Sequence, residues 1–102
     1  MAKLVVMYKT PKDPAAFDAH YFGKHVPLAK KIPGTRKYEV SRGQISAPNG
    51  PAPYHLIATL QFDDPAALQR ALASPEGQAA AADVQTFATG GVDMYLFDDR
   101  EV

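Results

Sequence analysis

The chain has 102 residues, 46% of them apolar, and its 11 lysines and arginines balance 11 aspartates and glutamates. That length predicts one domain over residues 1–102, and that composition a globular chain rather than a disordered one. Zero net charge argues against a nucleic-acid or anionic-membrane surface, and the lack of cysteine excludes disulfides, thiolate nucleophiles and thiolate metal sites.

The first element is a strand over 3–9, with Val5 and Met7 on one face and Leu4, Val6 and Tyr8 on the other. Both faces are apolar, so both are expected to be covered. The apolar run at 1–9 is too short for a signal-peptide core or a membrane span, and a cytoplasmic location is expected.

Asp13 is a natural N-cap and Pro14 suits the first helical position. The helix they open is predicted to run to about Ile32, where Pro33-Gly34 stops it. At about 100° per residue, Phe17, Tyr21, Leu28 and Ile32 share one stripe, with His25 beside it and His20 off its other edge. Pro27 would press on the carbonyl of Gly23, so a kink is expected between the two.

Residues 35–44 read as an edge strand with Tyr38 and Val40 facing in. Residues 46–53 carry three prolines and read as a loop. The clearest strand is 54–62. Its Leu56, Ala58, Leu60 and Phe62 form one face, and His55, Ile57, Thr59 and Gln61 the other. Asp63-Asp64-Pro65 caps a helix over 65–73, and Ser74-Pro75 restarts one that runs to about Phe87. Val92 to Phe97 is the last strand, again apolar on both sides.

The order β-α-β-β-α-β predicts an α+β fold of the ferredoxin-like, split βαβ plan. Right-handed crossovers put the helices on one face of a four-stranded antiparallel sheet. The other face is apolar along strands one and four and has nothing left in the chain to cover it. A homodimer packed sheet to sheet is therefore expected.

The residues that carry chemistry lie on the first helix. Tyr21 and His25 are four positions apart, so their side chains approach each other. Histidine titrates near neutrality and suits general acid–base work; next to a kink it equally suits a bond to a freed carbonyl. Tyr21 either orients a substrate oxygen or is a core tyrosine with its hydroxyl satisfied. His20 falls on another flank, toward an interface, the surface or the pocket. His55 opens strand three on the face assigned to the partner. His20 and His25, five positions apart, stand about 140° from each other on a regular helix. Zinc pairs favour separations of three or four, and no nearby carboxylate mends the spacing, so no metal is expected. There is no phosphate-binding glycine loop and no G-x-S-x-G, so no nucleotide cofactor is expected. Strand three lacks the aromatic pattern of RNA-binding sheets.

Phe17-x-x-His20-Tyr21-x-x-x-His25-x-Pro27-Leu28, then Ile32-Pro33-Gly34, resembles the EthD family of small dimeric α+β barrel proteins. Leu72-Ala73-Ser74-Pro75-Glu76-Gly77 followed by Asp83 and Phe87 fits the same pattern, and the likeness covers nearly the whole chain. The wider superfamily includes cofactor-free monooxygenases, polyketide cyclases, lactone isomerases and haem-acting enzymes. The resemblance therefore implies a homodimer with a pocket between the sheet and its own helices. It implies a hydrophobic, oxygenated small-molecule ligand and no organic cofactor. On that reading His25 and Tyr21 are the catalytic pair, and Phe17, His20 and Leu28 bind substrate. The reaction is a cofactor-free cyclisation, dehydration, isomerisation or oxygenation. The alternative is a non-catalytic ligand-binding or accessory protein.

Overall fold

The structure, a computed structural model, describes residues 1–102. The main sheet has four strands: β1 (Ala2–Lys9), β2 (Lys37–Val40), β5 (Tyr54–Phe62) and β6 (Val92–Asp98). They lie in the order β2-β5-β1-β6, with β5 and β1 at the centre. Every neighbouring pair is antiparallel. This is the ferredoxin-like α+β plan expected from the element order. The 46–53 segment is more ordered than the loop its prolines suggested. It holds a two-residue ladder between β3 (Ser46–Ala47) and β4 (Gly50–Pro51).

One face of the sheet carries the helices. The first arm is α1 (Pro14–His20), a π-helical turn at Tyr21–His25, and α2 (Val26–Ala29). It stops short of the predicted Ile32 because the last residues tighten into i→i+3 bonds, Lys31 to Leu28 and Ile32 to Ala29. Gly34 then takes φ 81°, a left-handed turn that favours glycine. The second arm is α3 (Pro65–Ala73) and α4 (Pro75–Phe87). Ser74 sits at their junction: its hydroxyl donates to the Ala71 carbonyl at 2.6 Å and accepts from Gly77 N–H at 3.0 Å. Gly77 is needed there, since a Cβ would fall on the Ala71 carbonyl oxygen.

The core lies between sheet and helices. Leu4, Val6 and Tyr8 of β1 and Leu56, Ala58, Leu60 and Phe62 of β5 point into it, as their alternation predicts. Phe17, Tyr21, Leu68, Ala80, Val84 and Phe87 meet them from the helices. On the opposite face Val5, Met7 and Ile57 are only half-buried. Strand β6 is poorly covered: its Met94, Tyr95, Leu96 and Phe97 are 41–57% exposed on both sides of the strand. No helix is long and apolar enough to cross a membrane.

Candidate functional site

The site is built where the first helix departs from regular geometry. Asp13 caps α1, accepting from Ala16 N–H at 3.1 Å. Pro27 has no N–H, and in a regular helix its ring would press on the Gly23 carbonyl. The backbone answers by widening: the Val26 N–H donates to the Tyr21 carbonyl, five residues back. The expected kink is thus a π turn. It inserts one residue, rotating everything after it by about 100°. Ala29 thereby joins His25 and Ile32 on the side facing the sheet, and all three are buried. Leu28, which an unbroken stripe would turn inward, is half-buried and does not line the cavity below.

The π turn brings His25 to α4, where Asp83 waits. His25 Nδ1 lies 2.9 Å from Asp83 Oδ2, and His20 Nε2 lies 2.9 and 3.0 Å from the two Asp83 oxygens. An ionised carboxylate only accepts, which assigns the bonding protons to His25 Nδ1 and His20 Nε2. The regular-helix angle kept the two histidines apart without a carboxylate between them. The widened turn and a residue 58 positions along the chain reunite them. No group of three or more histidine, aspartate or glutamate side chains is placed to hold a metal ion.

Electrostatics follows burial. Desolvation pushes the Asp83 carboxyl up, but the hydrogen bonds and charges of His25 and His20 outweigh it and hold it below its ordinary value. Desolvation pushes His25 below its ordinary value, and Asp83 restores part of the loss. His25 Nε2 makes no hydrogen bond within the chain. No buried side-chain nitrogen or oxygen is left without a partner, so this atom is reachable from outside the packing.

Tyr21 is fully buried, and its ring centroid lies 5.2 Å from that of His25. Its hydroxyl lies 2.6 Å from the Tyr38 hydroxyl on β2. Burial, and then the neighbouring Tyr38, pushes the Tyr21 hydroxyl far above its ordinary value, and burial raises Tyr38 as well. Both phenols therefore stay protonated; in their mutual bond one donates and the other accepts, which leaves the acceptor's own proton uncommitted. Tyr21, His25 and Tyr38 line a cavity of about 60 Å³ between sheet and helices, walled by apolar side chains including Ala29, Leu60 and Met94. That volume holds a few waters at most.

Phe17 and His20 open elsewhere. They line a surface groove of about 270 Å³ with Lys12 and Thr86. Asp83 thus bridges a histidine on the outer groove and one on the inner cavity. The largest cleft, about 580 Å³, contains none of His20, Tyr21, His25 or Asp83. Size alone points to the cleft, whereas the coupled titratable groups point to the small cavity, and chemistry needs the groups.

His55 is not on the open face of the sheet as alternation placed it. Its Nε2 meets Asp18 Oδ1 at 2.8 Å, and its ring packs edge-on against Phe17 at 5.0 Å. The β1–β5 register slips between Tyr8 and Lys9, opposite Leu56 and Tyr54, and leaves His55 as the extra residue. A bulged residue escapes the two-residue alternation.

Two members of the site went unassigned from sequence. Asp83 follows four alanines in its helix, three residues after Ala80 and four before Phe87, both buried. That spacing puts an acid on the inward side and was the available signal. Alternation along its strand turns Tyr38 inward, but nothing local pairs it with a residue 17 positions earlier.

Fold and site together define a small ferredoxin-like α+β protein with a histidine–carboxylate cluster beside an apolar cavity. The model of the EthD domain matches residues 9–91, and the chain belongs to the EthD family. It is 48% identical over 101 residues to an uncharacterized 11.0 kDa protein of the thcB-thcC intergenic region of Rhodococcus erythropolis, covering 99% of this chain and 96% of that one. The fold is similar to the crystal structure of an EthD family protein from Bacillus halodurans, at TM-score 0.89 and 36% identity over 98% of this chain and 99% of that one. It is also similar to SnoaB, a cofactor-independent oxygenase from Streptomyces nogalater, at TM-score 0.69 and 20% identity over 99% and 94% of the two chains. At that identity SnoaB speaks for the fold alone.

Proposed function

We propose that the chain is a homodimeric, cytoplasmic enzyme without an organic cofactor that moves a proton on a hydrophobic, oxygenated small molecule. The observation that carries this reading is His25: buried, held by Asp83 through Nδ1, and left with a reachable Nε2. Burial keeps the ring neutral, so Nε2 has a free lone pair for a proton. Asp83 fixes the tautomer and steadies the imidazolium that forms. The paired Tyr21 and Tyr38 hydroxyls supply a donor for the substrate oxygen on which charge develops. His20, sharing the same carboxylate, links that proton to the outer groove. Phe17 shapes the groove and the core beside it, and Leu28 is left to the outer flank of the helix.

The cavity is smaller than such a ligand needs. Met94, flexible and 41% exposed on the uncovered strand β6, is the wall that gives way. The apolar residues of β6 and of the open sheet face are those a second copy would cover.

A second reading, a non-catalytic ligand carrier, draws on the same small apolar cavity and on a Tyr21 hydroxyl already engaged by Tyr38. Deuterium exchange at the α-carbon of 2-tetralone separates the two. The enzyme reading expects exchange above the buffer rate, reduced roughly 100-fold or more by His25→Gln. Saturable binding of 2-tetralone without exchange supports the carrier, and neither binding nor exchange counts against both for this ligand class.

A further inference from the structure

The largest cleft belongs to a different part of the molecule. It is an open cleft of about 580 Å³, formed where the end of α1 and the π turn face the segment joining β2 to β5. That is within the range of about 300–1,000 Å³ typical of small-molecule sites. Its charges are few. Asp18 is the one acid in its wall, and that carboxylate is taken by His55 at 2.8 Å. Arg42 is the one arginine or lysine in the wall. It makes no hydrogen bond or ion pair in the chain, in contrast to Arg36, whose guanidinium holds Asp63 through two bonds of 2.8 Å. Phe22 is 51% exposed on the π turn and lends an aromatic wall, continued by Ile45 and Leu56.

We propose that this cleft is a second ligand site, separate from the His25 cavity, which takes a small aromatic monocarboxylate. The planar fork of Arg42 matches a carboxylate bidentately. Phe22 and Ile45 receive the ring. His55, kept in place by Asp18, is part of the same wall. With one uncommitted cation the cleft suits one carboxylate; a dicarboxylate would leave its second charge beside Asp18. The site does not depend on proton transfer at His25, because the two cavities share none of their lining residues.

The test is a titration of the full chain with sodium benzoate at constant ionic strength, followed by amide shifts in a two-dimensional ¹H–¹⁵N spectrum. Saturable shifts are expected at Phe22, Gly43, Gln44 and Ile45, with the Asp83 amide unmoved. Benzamide, of nearly the same shape but uncharged, is expected to bind the wild-type chain roughly tenfold or more weakly, the scale of a lost charge-assisted bond. Arg42→Gln is expected to weaken benzoate by a similar factor. No saturable shift at those amides, shifts at Asp83 instead, or equal affinity for benzamide would each overturn the proposal. The benzamide comparison needs no variant, so it stands whatever Arg42→Gln does to folding.

Discussion

The Tyr21 hydroxyl lies 2.6 Å from the Tyr38 hydroxyl, and this bond ties the π turn of the first helix to the edge strand β2. Both groups are withdrawn from bulk water, so removing either hydroxyl leaves the other short of a partner. Tyr38→Phe and Tyr21→Phe are each expected to cost about 1–2 kcal/mol. Urea denaturation of both single variants and the double variant gives the coupling between them. The double variant should lose less than the sum of the singles, by roughly 1 kcal/mol. Strict additivity would mean the bond is absent in solution.

Asp83 accepts from both His25 and His20, so Asp83→Ala strands two imidazoles at once. Its side chain is 14% exposed, which keeps solvent from replacing the lost bonds fully. The expected loss is about 1–3 kcal/mol in a urea midpoint experiment. In Asp83→Asn the negative charge that raises His25 is gone, so the His25 proton affinity falls further below its ordinary value. Ring-proton NMR across a pH series reads this directly. An upward move of His25 would contradict the geometry.

Acid should weaken the fold in two stages. His25 is held below its ordinary value of 6.5, so the unfolded chain takes up that proton first. The stability is fully present above pH 6.5 and drains away as pH falls toward the native value for His25. Asp83 is held below 3.8, so its contribution is present above that pH and lost as pH falls through its native value. Urea midpoints measured from pH 8 to pH 3 are expected to decline in the acid direction. His25→Phe should flatten the upper part of that decline. A midpoint that rises on acidification from pH 7 to pH 5 would be incompatible with a buried neutral imidazole.

The two helical glycines should answer oppositely to alanine. At Gly77 a Cβ meets the backbone of Ala71 and Leu72, which cannot swing aside. Gly77→Ala is expected to destabilise by about 1–3 kcal/mol as α3 and α4 are pushed apart. At Gly23 a Cβ meets nothing within 4 Å. Gly23→Ala is expected to be neutral or stabilising by up to about 1 kcal/mol, since it lowers the entropy of the unfolded chain. Thermal melts of the two variants decide it.

Strand β6 presents Tyr95 and Phe97, 57% and 46% exposed, beside the half-buried Val5 and Met7 on the open face. If a second copy covers them, Phe97→Lys places a charge in that contact. Analytical ultracentrifugation at micromolar concentration is expected to give a dimer for the natural chain and a shift toward monomer for the variant. A natural chain that sediments as a monomer would leave the apolar face to some other partner.

Much of the plan was legible in the chain because the signals are local. Alternation along β1 and β5 and the Asp13-Pro14, Asp64-Pro65 and Ser74-Pro75 caps each act within a few residues. The motif around His20, Tyr21 and His25 placed the chain in its family, and Pro27 announced the break in the helix. What sequence could not supply was phase and distance. The π turn moved Leu28 off the inner face, and the bulge at His55 moved that histidine to Asp18. One extra residue resets every position after it, and a pattern of fixed period cannot register that. Asp83 reached His25 across 58 residues, and Tyr38 met Tyr21 across 17, because the helices pack on the sheet. Sequence by itself determined the fold, the family and the helix that bears the histidines. Only tertiary packing decided which carboxylate holds them and which face of that helix meets the cavity.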